Sequence, residues 1–229
     1  KPAQNALNEL RGFGIVPDCV VVRSDDPAPA GVATKIAQFS GVAEDAVVML
    51  HNAKTVFKIP LIIAESGIND VLAKFTGNDT APALRKWQDI MTAQTSEREE
   101  CVTVGLVAKY MDNEDTYISV LEALKSAAWH EEVNLHIKWL NAETASDSDF
   151  ESVDALLVPG GFGERGIPGK IAAADYALRT GTPYLGLCLG LQVAVIAAAR
   201  RGGLEDAHSN EFDDATPHNV VYIMAGQEG

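Results

Sequence analysis

The chain contains no apolar run near the ~20 residues that a membrane-spanning helix requires, and no internal repeat or low-complexity tract. Basic residues are scarce: 18 Lys and Arg stand against 32 Asp and Glu, for a net charge of −14. That balance argues against nonspecific binding to nucleic acid or to an anionic membrane. It does not argue against nucleotides, whose phosphates are met by local lysines whatever the overall sign. Cysteine is limited to Cys19, Cys101 and Cys188, scattered without the paired spacing of a metal site, so no bound metal is expected on them. Three free thiols suit a reducing compartment, and no signal peptide opens the chain, so a cytoplasmic location is expected. What remains is ample: 229 residues, 47% hydrophobic, are enough for one large domain or two small ones.

The chain divides at a polar stretch over residues 76–100. Thr76-Gly77-Asn78-Asp79-Thr80 and Pro82 break the pattern, and Thr95 to Glu100 is a solvated charge run. Between them, Ala83 to Met91, including Trp87, suits a short amphipathic helix. Residues 1–75 read as the tail of an α/β domain. Asn5 caps a helix that Gly12 ends, Cys19 to Val22 and Ala46 to Leu50 are strands, and Ala30 to Phe39 and Leu61 to Phe75 are helical. Residues 101–229 alternate more regularly. Strands at Val102 to Val107, Val133 to Trp139, Ala155 to Val158 and Tyr184 to Leu187 are interleaved with helices at Asp115 to Trp129, Gly169 to Arg179 and Leu189 to Arg201. Such alternation specifies an α/β fold with a doubly wound parallel sheet and a site at the carboxyl ends of its strands. Trp129 and Trp139 bracket one connection and are read as packing residues.

The most informative segment is Tyr184-Leu185-Gly186-Leu187-Cys188-Leu189-Gly190-Leu191-Gln192. It places a cysteine between two glycines, where a run read as a buried strand, Pro183 to Leu187, meets a helix packed closely on the sheet. A β-carbon at Gly186 or Gly190 would crowd so sharp a turn, and the side chain at its apex is left in a strained, outward pose. The helix N-terminus that follows favours a thiolate over a thiol. The competing reading is an inert cysteine buried in a strand, and the flanking glycines favour the nucleophile.

A second apolar strand, Asp154 to Val158, runs into Pro159-Gly160-Gly161-Phe162-Gly163-Glu164-Arg165-Gly166. Its glycines leave backbone N–H groups bare, and donors of this kind beside a thiolate form an oxyanion hole for acyl transfer. A phosphate cradle is the alternative, but it would carry Lys-Ser or Lys-Thr after its last glycine, and here Gly169-Lys170 is followed by Ile171.

Together PGGFGERG, GLCLGLQ and Asn210-Glu211-Phe212 resemble the glutamine amidotransferase domain of the CTP synthase family. Lys1-Pro2-Ala3-Gln4, Arg23-Ser24-Asp25, Lys35-Ile36-Ala37, Lys58-Ile59-Pro60 and Ala108-Lys109-Tyr110 look like landmarks of the same family in the same order. The resemblance implies three segments: the C-terminal part of a Rossmann-like synthase domain over 1–75, a linker over 76–100, and a flavodoxin-like class I amidotransferase domain over 101–229, incomplete at its C-terminus. It implies ATP-dependent amination of UTP to CTP with ammonia from glutamine. Cys188 then matches the nucleophile and Gly161 the oxyanion donor, while Gly161, Phe162, Gln192 and Glu211 match positions that hold glutamine. Lys1, Gln4 and Lys35 match residues that grip UTP or CTP, and Arg23, Asn52 and Ala53 fall where the family contacts ATP. ATP with Mg2+, GTP as an activator, and a homotetramer that sometimes forms filaments are implied in the same way.

The sequence departs from the family pattern in places. Ala3 stands where the family has Thr, and Asn52-Ala53 replaces Asp-Val. Neither the family's phosphate-binding loop nor its late His-Pro-Glu is present. None of His51, His130, His136, His208 and His218 fills the place of the triad histidine. The chain is expected to be the middle of a longer protein and, by itself, to turn over slowly or not at all. Two other readings stand beside this one. A noncatalytic homologue could bind nucleotide or glutamine and act through assembly. A cysteine hydrolase such as a γ-glutamyl peptidase would explain the elbow but not the landmarks before residue 60.

Overall fold

The computed structural model describes residues 2–111, 114–213 and 215–222. The chain forms two compact units, Lys1–Ser96 and Glu97–Gly229. The first contains α1 (Pro2–Gly12), β1 (Val20–Ser24), α2 (Val32–Ser40), β2 (Val47–His51), α3 (Ile59–Glu65), α4 (Ile68–Thr76) and α5 (Arg85–Thr95). Strands β1 and β2 pair in parallel from Val20↔Val47 to Ser24↔His51. Leu7, Ile36, Ala37 and Val47 form the buried centre of this unit.

Three boundaries in this unit differ from expectation. Helix α1 starts at Pro2 and takes Asn5 into its interior, since proline is tolerated in a first helical turn. The predicted helix Leu61 to Phe75 is two helices, α3 and α4, because Gly67 adopts φ 80° and interrupts the helix between them. Apolar periodicity runs through that break and conceals it. Helix α5 extends to Thr95, one turn past Met91.

The second unit contains β3 (Cys101–Ala108), α6 (Ile118–His130), β4 (Asn134–Asn141), α7 (Asp147–Phe150), β5 (Ala155–Val158), α8 (Ile167–Thr180), β6 (Tyr184–Gly186), α9 (Leu189–Arg201), β7 (Ala207–Ser209) and β8 (His218–Val221). Its main sheet has the order β4-β3-β5-β6, and every pairing is parallel. Strand β4 lies on one side of β3, and β5 and β6 lie on the other. The order therefore reverses between β3 and β5, the place where open α/β sheets bind ligands.

Side chains alternate between the two faces of this sheet. Val107, Leu140, Leu156 and Val158 pack with Ile167 and Ile171 of α8 and with Leu189, Val193 and Ile196 of α9. Leu106, Ala108 and Leu157 pack on the opposite side with Tyr117 and with Val120, Leu121 and Leu124 of α6. This period of two across parallel strands, with both faces covered, is the reason the strands read as continuous apolar runs. Trp139 meets Tyr117 edge-on at 5.8 Å, in keeping with a packing role.

Strand β6 corrects one expectation. Pro183 to Leu187 reads as a buried strand, yet Leu185 is 53% exposed. Among the described residues β6 is the sheet's edge, so only the face toward α9 is packed. Two short elements give little sequence signal: α7, closed by a capping box between Ser146 and Asp149, and β7, which pairs in parallel with β8.

Candidate active site

The elbow is built by contact distances too short for any residue but glycine. A β-carbon at Gly186 would lie 2.4 Å from the carbonyl carbon of Gly190, and one at Gly190 would lie 2.0 Å from the carbonyl oxygen of Val158. Helix α9 therefore starts directly against the end of β5. Cys188 is its N-cap, with φ 53° and ψ −107°. Only one other non-glycine among the described residues, Glu132, has positive φ. Backbone strain at such a position costs about 1–3 kcal/mol and persists only where the surroundings over-determine it. The thiol at the apex is exposed, so the inert buried cysteine is not what the structure contains.

The amides around the thiol divide into engaged and free. Leu191 N–H and Gln192 N–H donate to Cys188 O at 3.0 and 3.2 Å, and Gly190 N–H donates to Leu187 O at 2.9 Å. Leu189 N–H, the first amide of α9, has no acceptor within the helix. It sits directly after Cys188, the position where hydrolase elbows place one oxyanion donor.

Further free amides lie in the loop after β5. A β-carbon at Gly160 would lie 3.5 Å from Cys188 Cβ, and one at Gly161 would lie 3.8 Å from Leu189 Cδ2. The topology thus brings loop and elbow together. Among the described residues the amides of Gly161, Phe162 and Gly163 make no hydrogen bond, which leaves Gly161 N–H available to a ligand.

The other expected glutamine contacts are distributed unevenly. Gln192 lies one turn along α9 from Cys188 and is half-buried. The Phe162 ring is 86% exposed. Glu211 follows β7 with its backbone N–H donating to Ser209 Oγ at 3.2 Å, and its carboxylate makes no ion pair among the described residues. No histidine among the described residues hydrogen-bonds Cys188. His208 is engaged elsewhere: its Nδ1 accepts from Ser209 N–H at 2.9 Å. Burial, and then the Arg200 charge, hold its imidazole below the ordinary value against an opposing effect of Asp213.

Two lysines stand around the glycine loop, a place that the sequence reading gave to neither. Lys109 follows β3 and is 6% exposed, and Lys170 in α8 is 0% exposed. Lys170 Nζ donates to Pro159 O at 3.1 Å, and Lys109 Nζ donates to Phe162 O. Burial, and then the neighbouring Lys109 charge, push the Lys170 ammonium down to about 8. Lys170 shares the stripe Ile167, Ile171, Ala174, Ala177 at helical spacing, and a lysine on an apolar stripe is the sequence signal that would have found it. Arg165 reinforces the arrangement, donating to Lys109 O at 3.0 Å and lying 5.3 Å from the centroid of the Tyr110 ring.

In the first unit, Gln4, Arg23 and Lys35 line one open groove of about 920 Å3, whose walls include Leu7, Val22 and Ile36. Lys1 lies outside the described residues. Arg23 also lines a smaller cavity of about 480 Å3 with Asn52, Ala53 and Ile59. Asn52 bridges two charges there: its Oδ1 accepts from Arg23 Nε at 3.1 Å, and its Nδ2 donates to Asp25 Oδ1 at 2.8 Å. An aspartate at position 52 would lose that donor and face Asp25 with like charge.

A doubly wound parallel sheet with a strained cysteine elbow beside a loop of free amides defines a class I glutamine amidotransferase domain, and residues 113–225 match the family described as glutamine amidotransferase class-I. Residues 1–76 match the CTP synthase N-terminus, and the chain belongs to the CTP synthase family. It is 40% identical over its whole length to the CTP synthase of Carboxydothermus hydrogenoformans. It is 41% identical, again over its whole length, to that of Methanothermobacter thermautotrophicus. The chain spans 44% and 43% of the lengths of these relatives. A solved Trypanosoma brucei CTPS glutaminase domain with bound acivicin is similar at 38% identity and TM-score 0.51, over 54% of this chain and 50% of that one.

Proposed function

We propose that Cys188 is the nucleophile of a glutamine-hydrolysing site and that the whole protein containing this chain is a CTP synthase. One observation carries the reading: an exposed thiol held at φ 53° on the N-terminus of α9, beside a loop whose Gly161 amide is unengaged. The Cys188 sulfur attacks the side-chain amide carbon of glutamine. Gly161 N–H and Leu189 N–H receive the charge that develops on the amide oxygen, a device commonly worth about 3 kcal/mol per donor. The C–N bond then breaks, ammonia departs with a proton from a general acid, and water releases glutamate from the thioester. Gln192, Phe162 and Glu211 hold the substrate, with the Glu211 carboxylate on its α-ammonium group. The similar Trypanosoma domain, solved with acivicin bound, is a glutaminase domain, which supports this assignment.

In the first unit, Gln4, Lys35 and Lys1 bind UTP or CTP, and Arg23, Asn52 and Ala53 contact ATP. The cavity of about 480 Å3 suits a base: its polar edge is Arg23 and Asn52, and its walls are Leu50, Val56 and Ile59. Among the described residues no three His, Cys, Asp or Glu side chains cluster to hold a metal. ATP with Mg2+ is the cofactor in this reading. GTP activation and a homotetramer, which sometimes forms filaments, belong to the same proposal. No helix among the described residues is long and apolar enough to cross a membrane, and a free catalytic thiol requires a reducing compartment such as the cytoplasm.

The test is CTP formation by the full-length protein from UTP and ATP with either nitrogen source. Cys188→Ala should abolish synthesis from glutamine and retain synthesis from ammonia. Glutamine-dependent synthesis that survives in Cys188→Ala would remove the assignment.

A further inference from the structure

Lys109 and Lys170 are buried beneath the glycine loop, and among the described residues neither is paired with a carboxylate. An uncompensated buried ammonium is costly. If this space needed only filling, a methionine would fill it at no such cost. The two groups instead bond carbonyls at opposite ends of one short segment: Lys170 Nζ to Pro159 O at 3.1 Å, and Lys109 Nζ to Phe162 O. Gly161 lies between these points, and a β-carbon there would meet Lys109 Cε at 3.5 Å and Lys170 Nζ at 3.6 Å.

The direction of those bonds matters. In a planar trans peptide the C=O and the following N–H point in opposite directions. A Pro159 carbonyl drawn toward Lys170 turns Gly160 N–H away from that ammonium, and a Phe162 carbonyl drawn toward Lys109 does the same to Gly163 N–H. The two carbonyls that flank Gly160 and Gly161 are thereby held by the lysines. The same segment, at Gly160, lies against Cys188.

We propose that Lys109 and Lys170 are positioning residues of the oxyanion loop, pinning the Pro159 and Phe162 carbonyls and placing two fixed positive charges behind the amide that receives the developing oxyanion. This rests on the glutaminase reading of Cys188. Fixed charge that is already in place when charge develops stabilises the transition state more than bound glutamine. Loss of either lysine should therefore appear in kcat and not in KM.

The experiment measures glutamine hydrolysis and thermal unfolding of the full-length protein as wild type, Lys170→Met, Lys109→Met and the control Lys125→Met. Lys125 is an exposed lysine 2.7 Å from Glu122. Each of the two loop variants should lose roughly 10- to 100-fold in kcat, with KM within about threefold. Tm should be equal to or above that of wild type, and the control should match wild type. Unchanged kcat in both loop variants overturns the proposal. So does a loss of kcat that accompanies a lowered Tm in both, which would make the lysines structural. If Lys170→Met does not fold, Lys109→Met decides by the same criteria. A wild-type protein inert toward glutamine would overturn the glutaminase reading, and the lysine proposal with it. An active wild type with unaffected variants overturns the lysine proposal alone.

Discussion

Leu187 N–H donates to the carbonyl of Val158 at 2.9 Å, which ties the residue before the cysteine to the last residue of β5 before the glycine loop. The elbow and the glycine loop therefore leave the sheet at one point. The same carbonyl lies where a side chain at position 190 would sit, so Val158 O both joins the elbow to the sheet and limits what the elbow can contain.

Gly190→Ala should consequently be among the most damaging single-methyl changes in the second unit. Its β-carbon would lie 2.0 Å from Val158 O, and backbone would have to move to relieve the clash. Denaturant unfolding should show a loss of about 3 kcal/mol or more, at the upper end of overpacking effects. Leu191→Ala, at a side chain 61% exposed on the same turn, should stay within about 0.5 kcal/mol of wild type. Equal stability of the two variants would show that the elbow is not packed against β5.

Tyr184 Oη donates to Gly190 O at 2.7 Å, and burial raises its phenol above the ordinary value, so it stays protonated and donating. Tyr184→Phe removes that bond and should cost about 1 kcal/mol of stability. Because the bond braces the elbow from β6, glutamine turnover should fall as well. A variant with unchanged unfolding midpoint and turnover would contradict the brace.

Cys188→Gly should separate strain from chemistry. Glycine adopts positive φ at no steric cost, so this variant should be more stable than Cys188→Ala by about 1 kcal/mol in urea unfolding, while both are inactive. If alanine were the more stable of the two, the positive φ at the apex would carry no strain.

Stability should depend on pH through Lys170. Burial, and then the Lys109 charge, hold its folded-state value at about 8, below the ordinary 10.5, so between these limits the unfolded chain binds more protons than the folded one. Stability from this group therefore rises as pH increases from 8 toward 10.5, by a total on the order of 3 kcal/mol. The groups facing it are the Lys109 ammonium and the Pro159 carbonyl. Lys170→Met should flatten that rise, and parallel pH–stability curves for wild type and variant would refute it.

The fold of the second unit was largely legible because parallel strands covered on both faces make apolar runs that helix patterns separate. The elbow was legible because the close approach of two backbones leaves glycine as the only choice at Gly186 and Gly190. Other features leave no such mark. Leu185 is an apolar residue on what is, among the described residues, an edge strand, and nothing in its neighbours in the sequence distinguishes it from a buried one. The break at Gly67 interrupts a continuous apolar periodicity with a single residue. The lysine pair depends on the spatial meeting of a strand end at Lys109 with a helix face at Lys170, 61 positions apart in the chain. Only the tertiary fold joins them.

In the first unit, Lys35→Ala should weaken UTP binding and leave glutamine hydrolysis nearly intact. Lys35 lines the groove shared with Gln4 and Arg23, and a lysine there meets phosphate as a point charge. Titration calorimetry that gave equal UTP affinity for both proteins would take the groove out of the account.

The most direct measurement is mass spectrometry of the full-length protein after exposure to a glutamine-like electrophile such as diazo-oxonorleucine. A single adduct on the peptide containing Cys188, absent from Cys188→Ala, is the expected result. An adduct that persists in Cys188→Ala, or no adduct on a wild-type protein that is folded and reduced, would contradict a nucleophile at the N-terminus of α9.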